Sequence, residues 1–538
     1  MNDEALNQPP PLEGYDAFAA DPWLGASLRR HGLDWVSSPA SALGKFVGSA
    51  EAQGHAALAN RFTPELKTHD RFGGRIDTVE YHPSYHALMQ RAISSGVHSL
   101  AWKRERGGFG GRAALFYLWN QLEQGTACPV TMTFASVPMF NQAPDIAATW
   151  RAKVISDAYD PRPAPIAEKA GATIGMAMTE KQGGSDLRAV STEARREGGA
   201  FTLEGHKWFC SAPMSDAFFT LARLPEGVSC FFVPRSLPDG TRNPFHIQRL
   251  KDKLGNRSNA SVEIEYHGTM AWGVGEPGRG IATLIEMAHH TRFDIVVGIA
   301  GMMRAALNQA IHHARHRSAF GKRLADHDLM ANVLADLALE TEAAMLLAFR
   351  LAEAFDASAG DARERELQRA LTPIAKYWLC KRMTPVAAEA MECLGGNGYV
   401  EEGPLARLYR EAPLNGIWEG SANVICLDAL RAIARSGNAL AVLMGEIGSA
   451  PDPRIQGLAA TAARMLADGA ATEKSARSIV EALARCMQAS LMKRHADAGA
   501  AEAFCASRLE GAGAGHAFGT LPASIDVRAI VERAELRI

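Results

Sequence analysis

The sequence lacks the features that define several common classes of protein. No uninterrupted apolar run approaches the ~18 residues that a helix needs to cross a bilayer. The amino-terminal stretch MNDEALNQPPPLEGYDAF is acidic and Pro-rich, without the basic region and apolar core of a targeting segment. The 8 cysteines form no CxxC pair, which fits neither a disulfide scaffold nor a zinc knuckle. We therefore expect a cytoplasmic protein with no membrane association.

The sequence also lacks an excess of positive or negative charge and several common catalytic motifs. The chain has 57 Lys and Arg against 59 Asp and Glu, so its net charge gives no global attraction to nucleic acid or anionic lipid. It contains no GxSxG, no P-loop and no Rossmann GxGxxG after a strand, and GAGAGH at 511–516 is expected to be a loop. His312 and His316 have an i,i+4 spacing but no HExxH companion, so we predict no metal site.

The order of residue patterns along the chain predicts a mainly helical protein with a central β-barrel. Residues 1–35 are rich in Pro, Gly and aromatics and are predicted to form an extended arm. Short apolar runs bounded by Gly, Pro or Asn occupy Ile174 to about Gly275, the signature of a small antiparallel sheet or barrel. Ile281–Arg317 predicts one very long helix or two stacked ones. The predicted divisions are 1–172, a helical domain with its arm; 173–277, a β-barrel; 278–436, a helical bundle; and 437–538, an extra helical domain.

Two segments of the predicted barrel have residues suited to a flat, phosphorylated ligand. TEKQGGSD, Thr179–Asp186, has adjacent glycines that let a backbone approach a ligand, flanked by hydroxyls that can hydrogen-bond it. Such a sequence is also typical of an ordinary turn. HKWFCS, from His206 to Ser211, places an aromatic ring near a hydroxyl, which suits a heteroaromatic ring but also fits a buried strand with a core Trp.

The second helical region has three further candidate segments. ARHRSAFGKRL, Ala314–Leu324, places Arg317 where it could pair with a phosphate, although the helix macrodipole alone also favours cations there. MECLGGNGY, Met391–Tyr399, predicts a helix ending in a Gly-rich loop. IWEGSAN, Ile417–Asn423, sets Glu419 between an aromatic residue and a glycine, a better context for a positioned base than a solvated surface has.

Together these segments resemble the acyl-CoA dehydrogenase superfamily in identity, order and spacing, from about Tyr81 to Arg435. The resemblance implies a helical domain, a β-barrel and a helical bundle, with FAD bound between barrel and bundle and across a subunit interface. It implies at least a dimer, in this family usually a dimer of dimers, and hence a homotetramer. The implied cofactor residues are Met176, Met178, Thr179, Gly184 and Ser185 in the barrel loop; Trp208, Phe209, Cys210 and Ser211 beside the flavin ring; Arg317, Phe320, Glu392, Cys393 and Gly396 at the ADP half of a neighbouring subunit's FAD; and Ile417, Trp418, Ser421 and Asn423 around the base. Glu392 stands where many relatives have Gln, which brings a negative charge to a phosphate contact.

The same resemblance implies the reaction. A carboxylate removes the α-proton of an acyl-CoA thioester while the β-hydrogen leaves as hydride to flavin N5. Glu419 occupies the base position of the main branch of the family. In the isovaleryl-type branch the base lies on the long helix, and the equivalent residue here is Thr291, which cannot act as one. Glu419 is therefore the expected catalytic residue.

A closer resemblance is to the AidB-type alkylation-response flavoproteins, through MTEKQGGSD, CPVTMTFASVP, LKDKLGNRSNAS and LYREAPLNGIWEGSAN. This resemblance implies binding of duplex DNA by the last domain. Residues 435–538 contain 12 Lys and Arg against 11 Asp and Glu, so composition adds little. Candidate DNA contacts are Arg477, Arg485, Lys493 and Arg494. Three hypotheses stay open: a DNA-associated flavoprotein with slow acyl-CoA oxidation, an ordinary metabolic acyl-CoA dehydrogenase without a role at DNA, and a DNA-shielding protein with a vestigial flavin.

Overall fold

The computed structural model of the protein describes residues 7–467, 473–510 and 517–538, and the predicted loop at 511–516 lies outside them. These residues fall into two compact units. The first comprises the chain up to Ala50, Phe109–Leu122 and Arg292–Ile538; the second comprises Glu51–Gly108 and Glu123–Thr291. No helix of the described chain is both long and apolar enough to cross a membrane.

Helices dominate both ends of the chain and strands its middle. The helices are α1 (Pro22–Arg30), α2 (Ser37–Val47), α3 (Ala50–Arg61), α4 (Pro83–Ser94), α5 (Leu100–Lys103), α6 (Gly108–Trp119), α7 (Ala127–Ser136), α8 (Pro144–Val154), α9 (Gly280–His316), α10 (Asp328–Ala357), α11 (Ala362–Cys393), α12 (Gly396–Tyr399), α13 (Pro404–Glu411), α14 (Ala422–Arg435), α15 (Ala439–Ile447), α16 (Pro453–Ala467), α17 (Ala476–His495), α18 (Ala498–Arg508) and α19 (Val527–Ala534). The strands are β1 (Glu65–His69), β2 (Arg75–Glu80), β3 (Ile174–Ala177), β4 (Glu193–Glu197), β5 (Ala200–Ser211), β6 (Ala217–Leu224), β7 (Gly227–Pro234), β8 (Phe245–Leu250), β9 (Ser261–Val274), β10 (Ser318–Ala319) and β11 (Lys322–Arg323).

The central strands form the predicted barrel. The sheet order is β3-β6-β4-β5-β9-β7, and β6 also pairs with β7, so that the sheet closes on itself. Its core is apolar, with Phe218, Phe231 and Ile264 among the buried side chains. The pairing is not purely antiparallel as expected, because β6 runs parallel to both β3 and β4. A parallel pair needs a longer connection than a hairpin, and the β3–β6 pair encloses the candidate segments TEKQGGSD and HKWFCS.

The first unit contains the carboxy-terminal helices. The open alternative for Ile281–Arg317 is settled in favour of a single helix, α9. Helices α10 and α11 pack as an antiparallel pair, and α11 continues through Pro373 and Pro385. Because α11 also packs on α14, α15 and α17, its buried face ties the predicted bundle to the helices beyond residue 437. Helix α14, which begins within the IWEGSAN segment, packs on the extra helices α15 and α17.

The prediction of an extended arm over residues 1–35 is wrong for its second half, where α1 forms. Asp21 caps this helix by accepting hydrogen bonds from the backbone N–H groups of Trp23 and Leu24, and Pro22 starts it. An Asp followed by Pro is a helix-start signal that the aromatic composition of the segment concealed. Trp23, one of the aromatic residues of the segment, is buried within the helical unit.

A buried carboxylate joins the last helices to the bundle. Glu446 on α15 accepts hydrogen bonds from Arg350 on α10, Arg363 on α11 and Arg494 on α17. Burial alone would raise the pKa of Glu446, but the guanidinium groups of Arg350 and Arg494 outweigh it and lower the pKa to about 2. The carboxylate therefore stays ionised and fixes α17 against α10 and α11.

Candidate active site

The TEKQGGSD segment forms a tight loop after β3. Glu180 and Gly183 exchange backbone hydrogen bonds of 3.1 Å, and the Thr179 carbonyl accepts the Trp208 N–H at 2.7 Å. A Cβ atom added at Gly184 would lie 2.7 Å from Thr179 Oγ1, so the loop can close only with glycine there. The hydroxyl of Ser185 is on an exposed residue, while Met176 at the start of the loop is buried and Met178 half-buried.

Glu180, which the sequence did not single out, anchors this loop. Its carboxylate forms a fully buried ion pair with Lys207 at 2.6 Å and accepts hydrogen bonds from Ser191 and Thr192. Burial would raise the pKa of Glu180, but Lys207 and the hydrogen bonds outweigh it and lower the pKa to about 2. This ion pair attaches the loop to β5, so the positions of Thr179 and Gly184 depend on the buried charges of Glu180 and Lys207.

We expect Glu180→Gln to lower the free energy of unfolding by about 3–5 kcal/mol, because it leaves the Lys207 ammonium buried without its counter-ion. The folded-state pKa of Glu180 lies below its ordinary value of 4.5, so the contribution is fully present above pH 4.5 and is lost as the pH falls towards about 2. Urea unfolding of both proteins at pH 7 and pH 3.5 checks this. A difference in the free energy of unfolding between the two proteins that does not become smaller at pH 3.5 would contradict this expectation.

A β-bulge in β5 exposes one aromatic side chain of HKWFCS, that of Phe209, and leaves Trp208 half-buried. The pairing with β9 shifts register between Lys207 and Cys210, which breaks the inward–outward alternation. Phe209 is consequently 48% exposed, whereas Cys210 points into the barrel core. Burial raises the pKa of the Cys210 thiol to about 12. Cys210 can therefore offer a cofactor only its main chain, and its expected place beside the flavin ring stays a prediction.

Lysine ammonium groups lie beside the half-buried Trp208 and the exposed Phe209. Lys251 Nζ lies 3.4 Å from the ring centroid of Trp208 and 4.6 Å from that of Phe209, and Lys181 Nζ lies 5.7 Å from Trp208. The Ser211 hydroxyl is 3.2 Å from the Ser261 hydroxyl. Aromatic faces with ammonium groups beside them suit a flat ring that carries negative charge.

In the first unit, IWEGSAN forms a loop whose backbone is strained at Glu419. Glu419 has a φ of +56°, in the left-handed region, and Gly420 has a φ of +105°. Non-glycine residues at positive φ cluster at functional sites, where the surrounding structure holds them. Ile417 is 65% exposed. Among the described residues the Trp418 indole N–H is buried with no hydrogen-bond partner, so an acceptor from outside the chain could satisfy it.

Two buried cations, neither visible in the sequence motifs, hold this loop by its carbonyl groups. Lys376 Nζ donates to the carbonyls of Trp418 at 2.9 Å and Gly420 at 2.6 Å. Arg292 Nε donates to the Glu419 carbonyl at 3.0 Å, and its Nη1 to Asp428 at 2.8 Å. Burial lowers the pKa of Lys376. Three successive carbonyls are thus held by hydrogen bonds, which fixes the backbone from which the Glu419 side chain projects.

The remaining expected phosphate contacts lie around a short hairpin after α9. Arg317 ends the helix, and Phe320 sits at the hairpin tip with a φ of +50° and 96% exposure. Gly396 and Glu392 are both exposed in the Gly-rich region, whereas Cys393 beside them is buried. The nearby Glu389 carboxyl has its pKa raised by burial and by the charge of Glu392, so Glu392 adds negative potential here.

The four candidate DNA contacts in the tail all have partners inside the chain. Arg485 donates to the Arg508 carbonyl and to Glu481. Lys493 pairs with Asp452 and Glu502, and Arg494 with Glu446. Arg477 alone of the four is classed as exposed, and its Nε donates to Asn423 Oδ1 at 2.8 Å. Asn423 and Ser421 are themselves exposed at the start of α14, so Arg477 contacts the candidate active-site loop.

Comparison with known proteins defines the class of this fold and site. Three family descriptions match: adaptive response protein AidB N-terminal domain at residues 7–161, acyl-CoA dehydrogenase middle domain at 175–269, and acyl-CoA dehydrogenase C-terminal domain at 278–434. The chain belongs to the acyl-CoA dehydrogenase family and is an FAD-dependent oxidoreductase of that class.

Within the family, the chain is similar to the putative acyl-CoA dehydrogenase AidB of Escherichia coli strain K12, with 48% identity over 432 residues that cover 80% of each chain. It is 30% identical to acyl-CoA dehydrogenase family member 11 of Caenorhabditis elegans over 79% of this chain and 72% of that protein. The crystal structure of Caenorhabditis elegans ACDH-11 in complex with C11-CoA matches with a TM-score of 0.86 and 25% identity, covering 94% of this chain and 93% of that one. The Bd2924 apo-form matches with a TM-score of 0.84 and 28% identity, over 91% and 99% of the two chains.

Proposed function

We propose that this protein oxidises an acyl-CoA thioester between its α and β carbons, with Glu419 removing the α-proton. The observation that carries the proposal is the backbone of the Glu419 loop, which is held at a positive φ by Lys376 and Arg292. A loop pinned in this way can direct a carboxylate with the accuracy that general-base catalysis requires. The structural relative ACDH-11, in complex with C11-CoA, supports an acyl-CoA as the ligand class.

The residues present fit FAD. The loop at Gly184 closes over Thr179 and exposes the neighbouring Ser185, which suits hydrogen bonds to ring carbonyls or phosphate oxygens. Phe209 follows Trp208, whose backbone N–H donates to the Thr179 carbonyl of this loop, and it offers an exposed aromatic face. When bound, FAD supplies the acceptor for the β-hydrogen, which it takes as hydride at N5. The chain itself binds and orients the thioester, and Glu419 receives the α-proton.

Exchange of the α-proton tests this role directly. An acyl-CoA analogue with sulfur in place of the β carbon can lose an α-proton but has no β-hydrogen to transfer. In heavy water, the FAD-loaded protein is expected to exchange the α-protons of this analogue for deuterium, as followed by mass spectrometry. Exchange no faster than in buffer alone would contradict the proposal, even if FAD is bound.

We also propose that the protein assembles into a homotetramer, as a dimer of dimers. Large apolar side chains of the first unit are exposed, including Phe320 (96%), Leu329 (84%) and Tyr399 (78%). Monomeric proteins rarely expose such a set, and a second copy of the chain would cover it.

Phe320→Asp is expected to give a smaller species by light scattering, because a charge on the apolar surface would be buried in the assembly. The control is Phe72→Asp, at a position that is 80% exposed in the second unit. It should leave the assembly unchanged. A monomeric wild-type protein, or an equal effect of both substitutions, would contradict the proposal.

Association with duplex DNA by residues 437–538 is a second candidate function, supported by the similarity to an adaptive response protein. Internal carboxylates already neutralise Lys493 and Arg494, so DNA binding through them would require phosphates to replace Glu502, Asp452 and Glu446. Binding of a duplex should therefore be weak and should weaken further with salt. No measurable affinity at low salt, with the oligomer intact, would leave the ordinary metabolic enzyme as the function.

A further inference from the structure

The amino-terminal arm makes a set of polar contacts that the proposed reaction does not explain. Asn7 hydrogen-bonds both backbone groups of Ser318: its Nδ2 donates to the carbonyl at 2.7 Å, and its Oδ1 accepts the N–H at 2.9 Å. The Asn7 carbonyl accepts a hydrogen bond from Arg317 Nη1 at 2.6 Å. Three residues further on, the Pro10 carbonyl accepts a hydrogen bond from His312 Nε2 at 2.8 Å.

The arm also reaches the Gly-rich loop after α11. Asn397 Nδ2 donates to Gln8 Oε1 at 3.1 Å. Residues 7–10 therefore connect the end of α9, the hairpin β10–β11 and the loop that contains Gly396, which are distant in sequence. All three belong to the expected contacts of the ADP half of FAD. Asn7 has a φ of +57°, a conformation that asparagine and glycine adopt more readily than other residues.

We propose that Asn7–Pro10 is a positioning segment for Arg317, which makes the affinity for FAD depend on the amino-terminal arm. The inference rests on the FAD of the proposed function and on the contact between Arg317 and its ADP half that the family resemblance implies. A guanidinium has five N–H donors, and the arm uses one of them. The others keep a fixed direction towards a phosphate, so that less side-chain entropy is lost when it binds. The arm fixes the hairpin through Ser318 at the same time.

The segment touches no catalytic atom, so its test must separate positioning from general stability. Asn7→Gly keeps the backbone conformation and the carbonyl but removes both side-chain hydrogen bonds to Ser318. Combining it with Arg317→Ala gives a double-mutant cycle on the dissociation constant of FAD from the full-length protein, measured by flavin fluorescence.

We expect Asn7→Gly to weaken FAD binding about 10-fold in the wild-type background and less than about 2-fold when Arg317 is already Ala. Asn438→Gly, at an exposed asparagine elsewhere in the first unit, should have no effect. Gln8→Ala provides a second variant, with a smaller loss, should Asn7→Gly fail to fold.

An equal loss in both backgrounds, or tighter binding without the Asn7 side chain, would overturn the inference. The two proposals fail separately. A wild-type protein that binds FAD with this pattern but leaves the α-protons of the thioester analogue unexchanged would retain the arm's role and lose the proposed reaction.

Discussion

Glu419→Gln is expected to keep FAD bound and to slow flavin reduction by acyl-CoA at least 10²-fold, within the roughly 10²–10⁴-fold that a general base contributes. Gln has nearly the same shape as Glu, so the backbone pins from Lys376 and Arg292 to the loop persist. What is lost is the carboxylate oxygen that we propose as the acceptor of the α-proton. Stopped-flow mixing with a saturated acyl-CoA in the absence of oxygen measures the rate.

The matched control is Glu402→Gln, at an exposed carboxylate of the same unit, which should leave the rate unchanged. Normal FAD binding together with full acyl-CoA oxidation in Glu419→Gln would refute the assignment. The isovaleryl-type position offers no replacement base, since Thr291 is buried and its hydroxyl donates to the Ala288 carbonyl at 3.0 Å.

Lys376→Met is expected to lower the rate about 10²-fold while the substrate concentration at half-maximal rate changes little. Met preserves the buried chain of Lys376 but frees the Trp418 and Gly420 carbonyls. The strained backbone at Glu419 can then relax, and a displacement of about 1 Å at a reacting group costs on the order of 10²-fold. Steady-state kinetics separates kcat from KM, and this substitution should act on kcat.

The control for this substitution is Lys381→Met, because Lys381 is an exposed lysine of the same helix. Two carbonyls left without donors cost about 1–3 kcal/mol each, part of which is recovered by removing a buried ammonium group. Thermal unfolding of both variants shows how much of the effect is stability. A Lys376→Met protein that binds FAD and retains the wild-type kcat would show that the hydrogen bonds from Lys376 to the loop carbonyls do not position Glu419.

The sequence predicted the elements that local patterns encode. Apolar runs bounded by Gly and Asn located the barrel strands, and helical periodicity located α9 but left open whether it is one helix or two. The family resemblance indicated Glu419 as the base, and this role stays a prediction. The Asp21–Pro22 start of α1 is a local capping signal, but the Pro-rich and aromatic composition of residues 1–35 favours an arm over a helix.

What the sequence could not predict are contacts between distant segments. Lys376 and the carbonyls that it binds are 42 and 44 positions apart, and Arg292 reaches a carbonyl 127 positions away. No periodicity marks such a pair, since each cation alone is an ordinary helix residue. The bulge in β5 could not be predicted for the same reason. The exposure of Phe209 follows from the register of β5 against β9 and not from the residues next to Phe209 in the sequence.

The most direct test of the account is an anaerobic titration of the FAD-loaded protein with a series of saturated acyl-CoA thioesters. The account predicts that the oxidised-flavin absorbance band bleaches with at least one of them, and that the corresponding enoyl-CoA appears in an amount equal to the flavin reduced. A flavin spectrum that stays oxidised across the whole series, with FAD bound and the oligomer intact, would contradict it.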